Sequence, residues 1–183
     1  MATAIANYED AIVAEISGVP AGTRWSWACR VLASRNGMFV TPAAGRQPRA
    51  GDLALVQGEA IGSHERITTH DNARLRIYPG DYIVGVFGNR YATDAYEAVI
   101  EGRENLSLLT AGGMIGTVRS RHRAMGRPTT VKLVGLLSGA DGVPRNLPQM
   151  IFRPAEPVRP ARNLVAVVGT GMNAGKTTSC VHH

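Results

Sequence analysis

Five of the chain's ten prolines, Pro144, Pro148, Pro154, Pro157 and Pro160, fall within seventeen residues, and no other feature limits the fold as strongly. Proline has no amide hydrogen to give to a strand ladder or a helix, and it turns the residue before it away from helical geometry. Its repetition in RPAEPVRPAR predicts an extended, fairly stiff connector of polyproline type. The 183 residues are thereby divided into a body (1–143), a linker (144–162) and a tail (163–183). The body has the size of one ordinary domain. A composition of 44% hydrophobic and 19% charged residues argues against a disordered or fibrous chain.

Within the body, Asn7 is placed to cap a short helix in which Tyr8, Ile12 and Ile16 recur at spacing four, with Gly18 as its stop. Trp25 to Ala33 fits strand and helix equally. From Gly37 onward the pattern becomes short β-rich runs: FVTP, DLALVQ, RITT, RLRIY, YIVGVFG, MIGTV and TTVKLVGLL. Turn signals punctuate them at Gly51-Asp52, Asp71-Asn72, Pro79-Gly80-Asp81 and Asp141-Gly142. Leu75 and Ile77 alternate with Arg74 and Arg76, and Val131, Leu133 and Leu137 with Thr130 and Lys132, as half-buried antiparallel strands require. Asp94 followed by Glu97 predicts one helix interrupting the series at AYEAVI. The expected fold is mainly β: a small, partly closed antiparallel barrel of about six or seven strands with one or two short helices.

Charge is unevenly distributed. Residues 1–116 carry a surplus of two acidic groups, whereas residues 117–183 set ten Arg and Lys against Asp141 and Glu156. Such asymmetry points to phosphate or nucleic-acid partners, but eighteen of the twenty basic residues are Arg, a bias that genome composition also produces. No run approaches the ~18 apolar residues of a membrane helix, and MATAIANYED lacks the basic and apolar regions of a secretory signal. A cytoplasmic protein without a membrane partner is expected. Cys29 and Cys180 belong to no CxxC pair, so reduced thiols are expected and neither a disulfide framework nor a zinc knuckle.

The chemistry lies after the linker, in NLVAVVGTGMNAGKTTSC. Leu164 to Val168 is a valine-rich apolar run suited to a buried parallel strand, followed by a glycine-rich loop and then Lys176, Thr177 and Thr178. Phosphate spreads its charge over several oxygens, so an efficient receptor is a loop of inward-pointing amides leading into a helix N-terminus. The expected nucleotide-binding residues are Gly169, Thr170, Gly171, Asn173, Ala174, Gly175, Lys176, Thr177 and Thr178. Lys176 would reach the β and γ phosphates, Thr177 would ligate a bridging Mg²⁺, and Thr178 would lie near the α phosphate.

These residues resemble the Walker A loop of P-loop NTPases, with one departure. The position usually held by the first glycine is Thr170, and Gly169 stands one residue further out, leaving five intervening residues rather than four. The longer loop, GTGMNAGKTT, is similar to that of dethiobiotin synthetase and its relatives. The segments PGDYIV, GNRYA and GLL before Asp141-Gly142 look like the N-terminal module of an uncharacterised bacterial P-loop family. The resemblance implies the first β–loop–α unit of an α/β P-loop domain, binding ATP or GTP with Mg²⁺, in a parent that is an NTPase or an ATP-dependent ligase. Only SCVHH follows Thr178, so the chain is expected to be a C-terminally truncated, catalytically incomplete part of that parent. The alternative is a stand-alone β-barrel module whose basic C-terminal half contacts nucleic acid or another acidic partner.

Further candidates weigh less. Arg119 to Arg123 (RSRHR), with Arg127 and Lys132, resemble a phosphate-tracking surface, but no aromatic residue is interleaved with them, so a solvated loop is favoured. His64 and His70, beside Glu65 and Asp71, lack a third metal ligand in the sequence. His182 and His183, at the end of the chain, are not expected to ligate a metal. Cys29, close to Trp25 and Trp27 and without an assignable base, is expected to pack as a small apolar residue. Arg90, in the turn Asn89-Arg90-Tyr91, is expected to be solvated rather than to hold an anion.

Overall fold

The computed structural model describes residues 17–32, 36–43, 46–151, 165–169 and 174–181. They fall in two compact units that divide between Phe152 and Arg153. In the first, β1 (Ser17–Gly18) and β2 (Arg24–Trp25) precede a single 3-10 turn, Trp27–Cys29. There follow β3 (Phe39–Thr41), β4 (Leu53–Gly58), β5 (Arg66–Thr68), β6 (Arg74–Arg76), β7 (Tyr82–Phe87), β8 (Arg90–Tyr91) and β9 (Tyr96–Val99). The last strands are β10 (Leu106–Leu108), β11 (Met114–Arg121) and β12 (Thr129–Ser138), and the unit ends with α1 (Leu147–Ile151). The second unit contains α2 (Lys176–Val181). Among the described residues no helix is long and apolar enough to cross a membrane.

Ten strands form one sheet in the order β1-β3-β12-β4-β7-β11-β9-β8, with β10 pairing β11 and β12 and with β2 pairing β7; β5 and β6 form a separate two-stranded ribbon. The chain is mainly β, as its alternating apolar runs predict, but the sheet is not a true barrel. The pairings β12–β4–β7–β11–β10 do return on themselves, yet the β7–β11 link is only two residues long and β1 and β8 remain as edges. Nor is the sheet wholly antiparallel. β7 pairs β4 along Tyr82–Val86 on one side, while its other side is shared in parallel by β2 at Ile83–Val84 and β11 at Val86–Phe87.

That arrangement explains why DLALVQ and YIVGVF read as unbroken apolar runs. Ala54 and Val56 of β4, with Ile83 and Phe87 of β7, enter one core cluster; Leu53 and Leu55, with Val84 and Val86, enter a second on the opposite face. A strand buried on both faces cannot alternate apolar with polar. In β12 the register shifts between Leu133 and Gly135, and this bulge carries Val131 and Leu136 to the first cluster and Leu137 to the second. An extra residue in one strand reverses the facing of every residue after it.

Several local expectations are overturned. Residues 94–99 are not helical: Tyr96 and Ala98 are buried while Glu97 is exposed, a period of two, and β9 pairs β11 and β8. Ladder pairing on two sides outweighs a capping signature at the surface. Gly18 lies in β1 rather than ending a helix, and the helix expected from Asn7 to Ile16 lies outside the described residues. Trp25 to Cys29 contains both a strand end and a 3-10 turn. Leu75 remains 43% exposed although its cross-strand partner Ile67 is buried.

The proline-rich stretch begins inside the first unit. Pro144 bridges to Ser138 and Asn146 to Asp52, and Pro148 occupies the first turn of α1, where a missing amide leaves no helical bond unmade. Asp52 anchors this closure. Wholly buried, its carboxylate accepts from the Arg49 amide (2.9 Å) and Asn146 Nδ2 (3.0 Å), with the Arg46 guanidinium 3.3 Å away. A buried carboxylate is tolerated when donors surround it in this way.

Candidate functional site

Of the nine expected nucleotide-binding residues, Gly169, Ala174, Gly175, Lys176, Thr177 and Thr178 are described, whereas Thr170, Gly171 and Asn173 lie outside the described residues. Val165 to Gly169 form no strand, contrary to the expectation for Leu164–Val168; Leu164 itself is not described. Val165 and Val168 are 83% and 86% exposed, and a single apolar run without a neighbouring strand has no ladder to join.

The ends of the loop nevertheless meet. A Cβ on Gly169 would stand 3.0 Å from Ala174 Cβ and 3.1 Å from Lys176 Cγ, closer than ordinary contact, so a side chain there would push the lysine away. Gly175 has φ +75°, a conformation that side-chain-bearing residues rarely adopt, and it turns the chain into α2 at Lys176. Its carbonyl accepts from both the Ser179 amide (2.9 Å) and the Ser179 hydroxyl (3.1 Å), which fixes the first turn. Lys176 is half-buried; Thr177 and Thr178 are exposed on the same turn. A lysine and two hydroxyls are thus gathered at one end of a helix beside a glycine loop.

In the β unit the remaining candidates separate. His64 packs near Tyr96 (ring centroids 5.7 Å apart), and its Nδ1 is buried without a hydrogen-bond partner. Burial, and then the Arg90 charge, hold this imidazole below its ordinary pKa, against a hydrogen bond with the Leu108 backbone. The His70 amide donates to the Trp25 carbonyl, and its Nδ1 is also buried without a partner. Among the described residues no group of three or more His, Cys, Asp or Glu is gathered in a metal-binding arrangement. Cys29 is buried in the second core cluster, with Ser26 Oγ 3.7 Å away, and neither cysteine is in a disulfide. Arg90 is not solvated as expected: its guanidinium donates to the Leu109 carbonyl and ties β8 to the end of β10.

The arginine run was expected to lack an aromatic neighbour, and here the topology adds what sequence spacing conceals. Arg121, His122 and Arg123 line a cleft of about 440 Å³ together with Tyr91, Thr93 and Glu97. Tyr91 lies thirty positions away from Arg121 in the chain, but β8 pairs β9 at Tyr91↔Glu97 and β9 pairs β11 at Glu97↔Ser120. The one sequence signal for this was Tyr91 itself, an aromatic residue beside a short turn. A second cleft, of about 680 Å³, mixes Glu101 and Glu104 with Arg103 and has no such excess of one charge. Comparison with family models, curated proteins and solved structures finds no match to the chain.

Proposed function

We propose that residues 169–178 form the phosphate-binding loop of a P-loop nucleotide-binding protein, taking ATP or GTP with Mg²⁺. The observation that supports this most directly is the approach of Gly169 to Lys176 across the loop: it brings the lysine to the mouth of the turn that Gly175 opens. In this reading Lys176 pairs with the β and γ phosphate oxygens, and backbone amides of the loop and the first turn of α2 receive the remaining charge. Thr178 faces the α phosphate.

The Thr177 hydroxyl suits Mg²⁺, a hard cation that takes oxygen ligands and keeps several waters. The rest of its shell would come from phosphate oxygens and water. When bound, the ion neutralises charge on the phosphates. The β unit then recognises a substrate or controls access to the phosphoryl chemistry of an NTPase or ATP-dependent ligase.

A loop with no neighbouring strand among the described residues of its unit loses ordering entropy on binding, so a dissociation constant of about 1 mM is expected for Mg-ATP. The test is ³¹P NMR of Mg-ATP and Mg-GTP titrated with the 183-residue chain. Selective broadening of the β and γ resonances, removed by Lys176→Ala, supports the reading. Equal broadening with the variant, or none with either chain, overturns it.

A further inference from the structure

The cleft between the β8–β9 turn and the end of β11 combines two features that serve different parts of one ligand. Its cations are available. Arg119 is neutralised by Glu101, but Arg121 gives one guanidinium nitrogen to the Met125 carbonyl (2.6 Å) and keeps its other donors, while the Arg123 side chain has no partner among the described residues. His122 Nδ1 accepts from the Ala124 amide (3.2 Å), which leaves Nε2 as the nitrogen of the ring that can donate. No acidic residue occurs in the sequence between Glu104 and Asp141, and only Glu97 brings a carboxylate into the cleft. Beside these donors Tyr91, on the edge strand β8, is 73% exposed.

We propose that this cleft binds single-stranded nucleic acid, with backbone phosphates on Arg121, His122 and Arg123 and one base stacked on Tyr91. Exposed rings beside guanidinium groups are how sequence-tolerant single-strand sites are built: every base has a π-face, and each phosphate takes a charge-assisted hydrogen bond. A duplex keeps its bases stacked on one another and has none to give Tyr91. The cleft opens at a sheet edge, which suits a chain passing across it better than a small ligand that needs enclosure on most sides.

Glu97 gives the site a preference. Tyr91, Glu97 and Ser120 stand opposite one another on three adjacent strands, and directly opposed residues share a face of the sheet. The Ser120 hydroxyl holds Glu97 Oε2 at 2.9 Å and leaves Oε1 to accept. A base lying on Tyr91 therefore turns an edge toward a carboxylate oxygen. Exocyclic amino groups of cytosine and adenine donate to such an oxygen, whereas the carbonyls of thymine are repelled.

Fluorescence anisotropy with the full chain and labelled oligo-dC and oligo-dT of about 12 nucleotides tests the proposal. Oligo-dC binds more tightly than oligo-dT, and affinity falls roughly tenfold between about 50 and about 200 mM salt, as expected for two or three phosphates. Tyr91→Ala weakens binding about fivefold or more. Arg123→Ala weakens it and flattens the salt dependence, and Glu97→Gln removes the preference for oligo-dC. Tyr91 and Arg123 are exposed, so their variants retain the thermal transition, which circular dichroism checks. No binding, a duplex bound as tightly as the single strand, or an affinity indifferent to Tyr91→Ala and Arg123→Ala overturns the proposal.

Discussion

His64 shows how one side chain ties stability to pH. Its pKa is lowered from 6.5 by burial first and by Arg90 second, so the folded protein binds this proton less readily than the unfolded chain. Between the folded and unfolded values the unfolded state holds more protons, and the derivative of unfolding free energy with pH is positive there. Stability is therefore full above the unfolded value of 6.5 and declines as pH falls below it. Urea unfolding at a series of pH values from about 7.5 to about 5.5 should show this decline, and His64→Gln should reduce it. A slope unchanged in the variant would assign the effect to another group. The sequence showed His64 beside Glu65 without a third metal ligand; it contained no hint that Tyr96, which packs near the imidazole, and Arg90, whose charge lowers its pKa, lay in reach.

Among the elements, β4 and β7 are the load carriers and β6 is a surface ribbon. Leu55 is wholly buried and Leu75 is 43% exposed, although both are leucines in strands. Leu55→Ala should cost about 3 kcal/mol and Leu75→Ala less than about 1 kcal/mol, read from the urea midpoints of the two variants. Equivalent losses would mean that β6 is covered in solution. Runs rich in β-branched and other apolar residues were legible: FVTP, DLALVQ, RITT, RLRIY, YIVGVFG, MIGTV and TTVKLVGLL each overlap a strand. β8 and β10, with two and three residues, are too short to carry a pattern, and Leu106, Ser107 and Leu108 are buried alike, so no alternation marks β10. β9 was concealed for another reason, since Asp94 and Glu97 satisfy a helix-capping spacing while Tyr96 and Ala98 satisfy a strand. Sequence spacing cannot decide between two periods over four residues; the partners β8 and β11 decide it.

At the level of the whole molecule, the pairings that matter are distant in sequence. The Thr41 hydroxyl donates to the carbonyl of Leu136, 95 residues away, and β4 runs against β12 from Ala54↔Leu136 to Gly58↔Val131. Loops of such length must close before these contacts form, which places refolding of the β unit in the millisecond-to-second range rather than in microseconds. Stopped-flow tryptophan fluorescence, using Trp25 and Trp27, measures it; loss of the full amplitude within the mixing dead time would contradict the topology. Barrel closure was misjudged from sequence for the same reason: the edges β1 and β8 depend on which distant strands meet, and no local run encodes that.

The bulged strand β12 also has a consequence for synthesis. A chain emerging from the ribosome shows β4 and β7 long before it shows residues 129–138, so one hydrogen-bonding edge of LALVQG stays bare while about seventy further residues are made. Apart from Gln57 that strand is apolar on both faces and carries no charge, which makes it prone to pair with a neighbouring copy. The interval before β12 arrives is thus when a holding chaperone would do most for this protein, and the yield of folded chain should depend on translation speed between Gly58 and Ser138.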